Sequence, residues 1–184
     1  MEKKDKDSFM IKKLFSKRGS FGRGPKNDSF FYEKTQERLM IRLATIKDKK
    51  IVIELNQYSL NDFPLFEKDI NNLIMKKRIT LSYDDIIPVG FISYIPCTVN
   101  IMILNLSMHP SFKESQHVLE LLQALESSAK QLDYKNIVMQ VSDSFNKLHF
   151  FHRKGYIKRQ NIEGVLLRDK SYHLLYKSMK PKKD

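Results

Sequence analysis

One stretch of the sequence constrains the fold more than any other, because it predicts a strand, a long helix and a second strand in succession. Residues 99–108 form a strongly apolar run, and His109-Pro110 ends it because proline cannot donate a ladder hydrogen bond. Residues 137–141 are a second, shorter apolar run. The helix between them carries one apolar stripe at helical spacing: Val118, Leu121, Leu122, Leu125, Ala129 and Leu132. A strand–helix–strand crossover makes the two strands parallel neighbours, which predicts an α/β sheet.

The other elements extend this sheet on both sides. Strands are predicted over residues 39–44, 79–83, 89–95, 156–159 and 172–179, and helices over residues 46–58, 66–77 and 144–153. Asp84-Asp85 is predicted to turn the chain between two strands, and Gly155 to end the last helix. The fold class is therefore α/β: a mixed, twisted sheet of about six to seven strands flanked by about four helices.

The basic charge is concentrated at the two ends of the chain. The net charge is +12, from 33 Lys and Arg against 21 Asp and Glu. We predict a basic flexible arm over residues 1–29, one domain over residues 30–179 and a basic tail over residues 180–184. No window approaches the ~18 consecutive apolar residues of a membrane span. The lone Cys97 and the lack of a secretory signal favour a cytoplasmic protein.

Two further sequence patterns are candidates for ligand binding, one in the N-terminal arm and one on a predicted helix. Residues 17–24 mix basic side chains, glycines and Phe21, which is typical of tails that contact RNA, although a solvated tail has the same composition. His149 and His152 lie three residues apart on a predicted helix, but the sequence offers no third ligand nearby. We therefore keep RNA or protein contact through the arm as an open hypothesis and assign no metal site.

Three blocks in this order resemble a known family. They are Leu106-Ser-Met-His-Pro110, the long helix with Leu121-Leu122, and the aromatic–x–x–x–Gly–aromatic block that ends at Tyr156. Together with the element order over residues 39–179, they are similar to the GNAT superfamily of acyl-CoA N-acyltransferases. The resemblance implies an acyl-CoA N-acyltransferase-like fold, acetyl-CoA as co-substrate and transfer of its acetyl group to an amine. The sequence does not identify the amine, the acyl-chain preference or the oligomeric state.

The resemblance also implies where the co-substrate lies. The backbone of Leu106, Ser107 and Met108 would pair with the pantetheine arm, and Phe151 would flank the thiol. The first turn of the long helix would hold the pyrophosphate, because its backbone N–H groups lack helical partners. The residues expected there are Lys113, Ser115, Gln116, His117 and Val118. Two of these, Gln116 and Val118, replace the family's glycines, and Ser111 with Glu114 alternatively forms a capping box that uses the same N–H groups.

The chemistry positions depart from the family pattern as well. Asn105 stands where a carboxylate often relays the amine proton, and Phe151 where a tyrosine often protonates the thiolate. Neither side chain can transfer a proton. His152 and Tyr156 are the candidates to replace the acid. The leading interpretation is an acetyl-CoA-dependent N-acetyltransferase with weak catalytic candidates Tyr156, His152 and Asn105. The alternatives are a catalytically degenerate GNAT-fold binding or scaffold module, and a sensor that binds acyl-CoA without transferring the acyl group.

Overall fold

A computed structural model of the chain describes residues 39–60, 64–112, 116–142, 148–163 and 171–179. The strands are β1 (Leu39–Leu43), β2 (Ile79–Asp84), β3 (Ile87–Cys97), β4 (Asn100–Met108), β5 (Asn136–Ser142), β6 (Ile157–Glu163) and β7 (Ser171–Ser178). The helices are α1 (Lys49–Asn56), α2 (Glu67–Met75), α3 (Gln116–Gln131) and α4 (Leu148–Arg153). The predicted arm and tail lie outside the described residues. No helix in the described ranges is long and apolar enough to cross a bilayer.

All seven strands belong to one sheet in the order β1-β2-β3-β4-β5-β7-β6. Every neighbouring pair is antiparallel except β4 and β5, which are parallel. The α3 crossover joins these two strands, as the apolar pattern predicts. The mixed α/β sheet with four flanking helices is therefore confirmed.

The two faces of the sheet bury separate apolar clusters. Helices α3 and α4 cover one face, where Leu121, Leu122 and Phe151 pack against strand residues such as Ile92. Helices α1 and α2 cover the other face, where Val52, Leu55, Ile70 and Leu73 pack against Leu81 and Phe91. Phe91 and Ile92 are neighbours on β3 and reach opposite clusters, because successive strand side chains point to opposite faces.

A β-bulge at Leu104 sets which residues of β4 face which helices. The β3–β4 register shifts there, so that Tyr94 is opposite Ile103 whereas Ser93 is opposite Asn105. If Leu104 were part of a regular strand instead of a bulge, strict alternation would place Asn105 on the same face as Ile103, inside the cluster under α3. The bulge turns the polar side chain of Asn105 to the α1 face instead. The order of polar and apolar residues in β4 therefore requires the bulge.

Three predicted details were wrong. The helix predicted over residues 46–58 is a 3-10 turn at Ile46–Asp48 followed by α1, which ends at Asn56. Leu132 is 62 % exposed rather than part of the buried stripe, because α3 ends one residue before it. Asp84 belongs to β2, so the two turn residues are Asp85 and Ile86.

An ion pair between the partly exposed Arg42 and the buried Asp48 fixes β1 to the start of α1. The guanidinium of Arg42 donates to both carboxylate oxygens of Asp48, at 2.8 Å and 2.7 Å. The backbone N–H and hydroxyl of Thr45 donate to the same carboxylate at 2.8 Å. These donors, Arg42 first, hold the pKa of Asp48 well below its usual range despite its burial.

We predict that Asp48→Asn lowers the free energy of unfolding by about 2 kcal/mol at pH 7, since it removes charge-assisted hydrogen bonds. Because the folded-state pKa of Asp48 is depressed, its contribution is present above the unfolded pKa of about 3.9 and is lost as the pH falls below it. Urea denaturation of both proteins between pH 7 and pH 3 measures this. Equal loss of stability on acidification in the two proteins would contradict the prediction.

Candidate functional site

The parallel strands β4 and β5 separate halfway along their length. They are paired from Asn100 opposite Asn136 to Ile103 opposite Met139. Beyond that point β4 runs on to Met108 and β5 to Ser142, with no β4–β5 pairing recorded between them. A cavity of about 250 Å³ opens at the divergence, and its lining comes from both strands and β7: Met102, Ile103, Leu104, Val138, Met139, Gln140 and Leu174. The sheet therefore contains a gap between two strands at its centre.

The edge of β4 that faces this gap is paired with the chain's own residues Tyr58–Leu60, which we call the bridging segment. The N–H of Leu60 donates to the C=O of Leu106 at 2.9 Å, and the N–H of Met108 donates to the C=O of Tyr58 at 3.4 Å. Ser59 lies opposite Ser107 in an antiparallel bridge. The backbone groups of Leu106 and Met108 point away from β3, because Ser107 and its alternate neighbours make the β3 bonds.

Ring contacts hold the bridging segment against the end of β4. The ring of Tyr58 meets the ring of His109 edge-on at 5.5 Å, and His109 meets Phe112 at 6.2 Å. Burial among these rings lowers the pKa of His109. The side chain of Leu60 is only 5 % exposed and joins the cluster under α3. The segment is thus held by side chains as well as by its two backbone hydrogen bonds.

The expected pyrophosphate turn is described only from Gln116 onward; Lys113 and Ser115 lie outside the described residues. The side chain of Gln116 is exposed, but His117 is 4 % exposed and its Nδ1 lies 3.0 Å from the hydroxyl oxygen of Ser82. Val118 is buried in the cluster under α3. The side chains of His117 and Val118 therefore face the sheet, and at these positions only backbone groups remain to meet a phosphate.

Asn105 is part of a buried hydrogen-bond network beneath α1. Its side-chain amide donates to Oδ1 of Asn56 at 2.9 Å, and its oxygen accepts from the hydroxyl of Ser107 at 2.8 Å. Asn56 also holds the backbone of Leu65, donating to its C=O and accepting from its N–H, both at 2.9 Å. The network ties α1 and the chain before α2 to β4, and it directs the side chains of Asn105 and Ser107 away from the cluster under α3.

Tyr156 is fully buried and its hydroxyl donates to Oε1 of Glu126 at 3.1 Å. Lys177 donates to Oε2 of the same carboxylate at 2.7 Å and lies 5.2 Å from the centre of the Tyr156 ring. Burial first, and then the Glu126 charge, raise the pKa of Tyr156 well above 10.0. The phenol therefore stays protonated and donates its hydrogen bond to Glu126 on α3.

The remaining two candidates lie on α4. Phe151 is fully buried, with its ring 6.2 Å from that of Tyr156 and 5.4 Å from that of Phe150. His152, the next residue, is exposed to solvent. The structure thus brings Phe151 together with Tyr156, and Asn105 with Ser107, but these two pairs face different sides of the sheet.

The bridging segment and the Glu126–Tyr156–Lys177 network are the parts of the site that sequence reasoning missed. Pairing through backbone atoms leaves no side-chain pattern. The one signal in the sequence is Asn56, a polar residue at the last position of an amphipathic helix. An Asn side chain there can end the helix and hydrogen-bond to the backbone that follows, as Asn56 does with Leu65.

We predict that Tyr156→Phe lowers the free energy of unfolding by about 1 kcal/mol, because the half-buried carboxylate of Glu126 loses one donor but keeps Lys177. A raised folded-state pKa means that the folded protein holds the phenol proton where the unfolded chain releases it. Wild-type stability should therefore fall as the pH rises above about 10, and the variant should lose less over the same range. Denaturant titrations at pH 8 and pH 11 measure the difference; parallel losses would contradict it.

Comparison with known proteins rests on structure alone. No protein-family model matches the sequence, and no curated protein sequence matches it. Among solved structures, Ard1 from Thermoplasma volcanium is 16% identical with a TM-score of 0.70, over 78% of this chain and 99% of that one. The ribosomal-protein-S18-alanine N-acetyltransferase from Escherichia coli is 12% identical with a TM-score of 0.66, over 78% and 95%.

A third structure, the NatC complex bound to Gag peptide and CoA, has a chain that is 12% identical with a TM-score of 0.66, over 77% of this chain and 99% of that one. Acetyltransferases of the GNAT family occur among the other structures that match. This chain therefore has the fold of the GNAT N-acetyltransferases.

Proposed function

We propose that this chain binds acetyl-CoA in the gap between β4 and β5 and is an N-acetyltransferase-like protein that acts on an amine. The observation that carries the proposal is the divergence of β4 from β5 after Ile103 and Met139, with a cavity of about 250 Å³ at its apex. An extended pantetheine arm can satisfy the backbone groups of a strand edge in such a gap. The fold supports the same ligand, since the similar NatC structure is a complex with CoA.

The transfer reaction needs little covalent chemistry from the protein. A neutral amine attacks the thioester carbonyl, the oxygen gains negative charge, and the C–S bond breaks to release CoA as a thiolate. The amine loses one proton, and the thiolate takes one up. A thiol pKa of about 8.5 makes the thiolate a tolerable leaving group without an acid. Leu104, at the bulge of β4, is among the residues that line the cavity, and we propose that the developing negative charge on the oxygen is stabilised on this side of the gap.

The side chains at the family's proton-transfer positions serve packing in this chain. Phe151 has no transferable proton, Asn105 is held by Asn56 and Ser107, and Tyr156 is held by Glu126. Loss of one positioned acid or base typically costs ~10²–10⁴-fold in rate. We propose that transfer depends on positioning alone and is correspondingly slow, with exposed His152 as the remaining titratable candidate on α4.

The acceptor is proposed to approach from the α1–α2 face. A groove of about 520 Å³ runs between α2 and β3, lined by polar side chains that include Asp69, Asn72, Lys76 and Arg78. It shares Leu104 with the cavity at the strand divergence. An amine in this groove would reach the gap from the opposite side of the sheet to α3.

A second function is favoured by the engagement of Asn105, Phe151 and Tyr156 in packing. A GNAT-fold module that binds a ligand, or a protein or RNA through residues 1–29, needs none of these residues for proton transfer. This alternative predicts acetyl-CoA binding without CoA release, or no acetyl-CoA binding at all.

We predict that isothermal titration of the full chain with acetyl-CoA gives a dissociation constant below about 1 mM, and that a thiol reagent detects slow CoA release with a panel of amines. Gln140→Trp, which fills the cavity at the divergence, should weaken binding at least tenfold. Leu132→Trp, on an exposed position at the end of α3, is the matched control and should not.

Binding without CoA release would favour the second function. Neither heat nor a thermal shift at millimolar acetyl-CoA, in the wild type and in Leu132→Trp alike, would overturn the proposal.

A further inference from the structure

We infer that the bridging segment Tyr58–Leu60 is a built-in competitor that closes the β4 edge against the pantetheine arm of acyl-CoA. The inference rests on the proposed function, since it concerns the regulation of the same site. The two β4 atoms in question are the carbonyl oxygen of Leu106 and the amide N–H of Met108. In the structure both are hydrogen-bonded to the bridging segment: the carbonyl accepts from the N–H of Leu60 at 2.9 Å, and the N–H of Met108 donates to the C=O of Tyr58 at 3.4 Å.

One strand edge cannot pair with two partners. The carbonyl of Leu106 and the N–H of Met108 point away from β3 toward the gap, so they are the groups that an extended ligand with amide bonds would use there. A pantetheine arm offers amide N–H and C=O groups, as the bridging segment does. Ligand and segment therefore occupy the same edge in turn, and each excludes the other.

The surroundings favour the closed arrangement in the free protein. Leu60 is buried in the cluster under α3, and the Tyr58 ring packs on His109 at the end of β4. The bond from Leu60 to Leu106 is short at 2.9 Å, whereas the bond from Met108 to Tyr58 is long at 3.4 Å. The hydrogen bond to β4 is therefore weaker at the Tyr58 end, where the N–H of Tyr58 also donates to the C=O of Leu55 at 3.0 Å.

The segment can leave without moving the helices on either side. Asn56 ends α1 and is bonded to Asn105 on β4, while the backbone of Leu65 is bonded to the side chain of Asn56. These bonds fix both ends of the chain between α1 and α2 independently of the bridging segment.

Closure lowers the apparent affinity for acyl-CoA in proportion to the fraction of open molecules. Removal of the competitor therefore tightens binding, and locking it in place abolishes binding. Anything that draws the bridging segment away, such as a partner or a substrate in the neighbouring groove, activates the site. Acyl-CoA binding would therefore depend on displacement of the bridging segment from β4.

A reversible cross-link tests this directly. Ser59 and Ser107 are opposed as a pair without direct hydrogen bonds, whose Cα atoms lie roughly 4.5 Å apart, within reach of a disulfide. Ser59→Cys with Ser107→Cys, on a Cys97→Ala background, gives one protein in two states. The reduced form should bind acetyl-CoA, and the oxidised form at least tenfold more weakly, by isothermal titration of each.

The outcomes separate the two proposals. Equal binding by the oxidised and reduced forms overturns the inference and leaves the proposed function standing. No binding by either form, nor by the wild type, overturns the proposed function. Failure of the two thiols to cross-link in the free protein contradicts the closed arrangement itself.

A second pair of variants covers the case in which the double cysteine protein does not fold. Leu60→Pro removes the N–H that donates to Leu106, whereas Leu60→Ala keeps that N–H and loses a comparable part of the buried side chain. The proline variant should bind acetyl-CoA about tenfold more tightly than the alanine variant, with circular dichroism confirming the fold of both. Equal affinities would overturn the inference.

Discussion

Where β4 diverges from β5, the backbone N–H and C=O groups on one edge of β4 lose their partners and need others. A buried strand must pair its backbone N–H and C=O groups on both edges, because an unpaired group buried away from water costs as much as a lost hydrogen bond. Strand β5 serves one edge of β4 only as far as Ile103. Beyond it, the buried residues Leu106, Ser107 and Met108 still need partners on that side. Tyr58–Leu60 supply them in the structure, and a bound pantetheine arm is the other partner of the same geometry.

Two positions that the resemblance assigns to proton transfer have structural roles in this chain. The amide of Asn105 holds Asn56, which in turn holds the chain before α2. Phe151 fills the cluster under α3 beside Tyr156. A carboxylate at residue 105 would lose the donor that reaches Asn56, so the network depends on an amide at this position.

The same reasoning applies to the buried phenol of Tyr156. Tyr156 follows the helix end at Gly155, whose φ of 82° suits glycine, and this turn aims the phenol back toward α3. There Glu126 accepts a hydrogen bond from the phenol, and Lys177 balances the carboxylate charge. The network therefore commits the phenol of Tyr156 to Glu126 on α3 rather than to the gap between β4 and β5.

The sequence was sufficient for elements whose burial follows a local period. The stripe of α3 and the apolar runs of β4 and β5 predicted the parallel crossover, because each residue's face depends on its neighbours within a few positions. The hydrogen bond between Asn105 and Asn56 joins residues 49 positions apart, and the bond between Tyr156 and Glu126 joins residues 30 positions apart. A local sequence pattern therefore predicts neither hydrogen bond. The bridging segment uses backbone atoms, which every residue has. The roles expected for Lys113 and Ser115 fall outside the described residues and stay predictions.

We infer that one edge of β4 pairs either with its own chain or with an acyl-CoA ligand. The α-protons of Ser59 and Ser107 face each other across the antiparallel bridge, so the nuclear Overhauser contact between them reports which partner is present. We expect a strong contact in the free protein and no contact at saturating acetyl-CoA. A contact of unchanged strength in the saturated complex would contradict this inference.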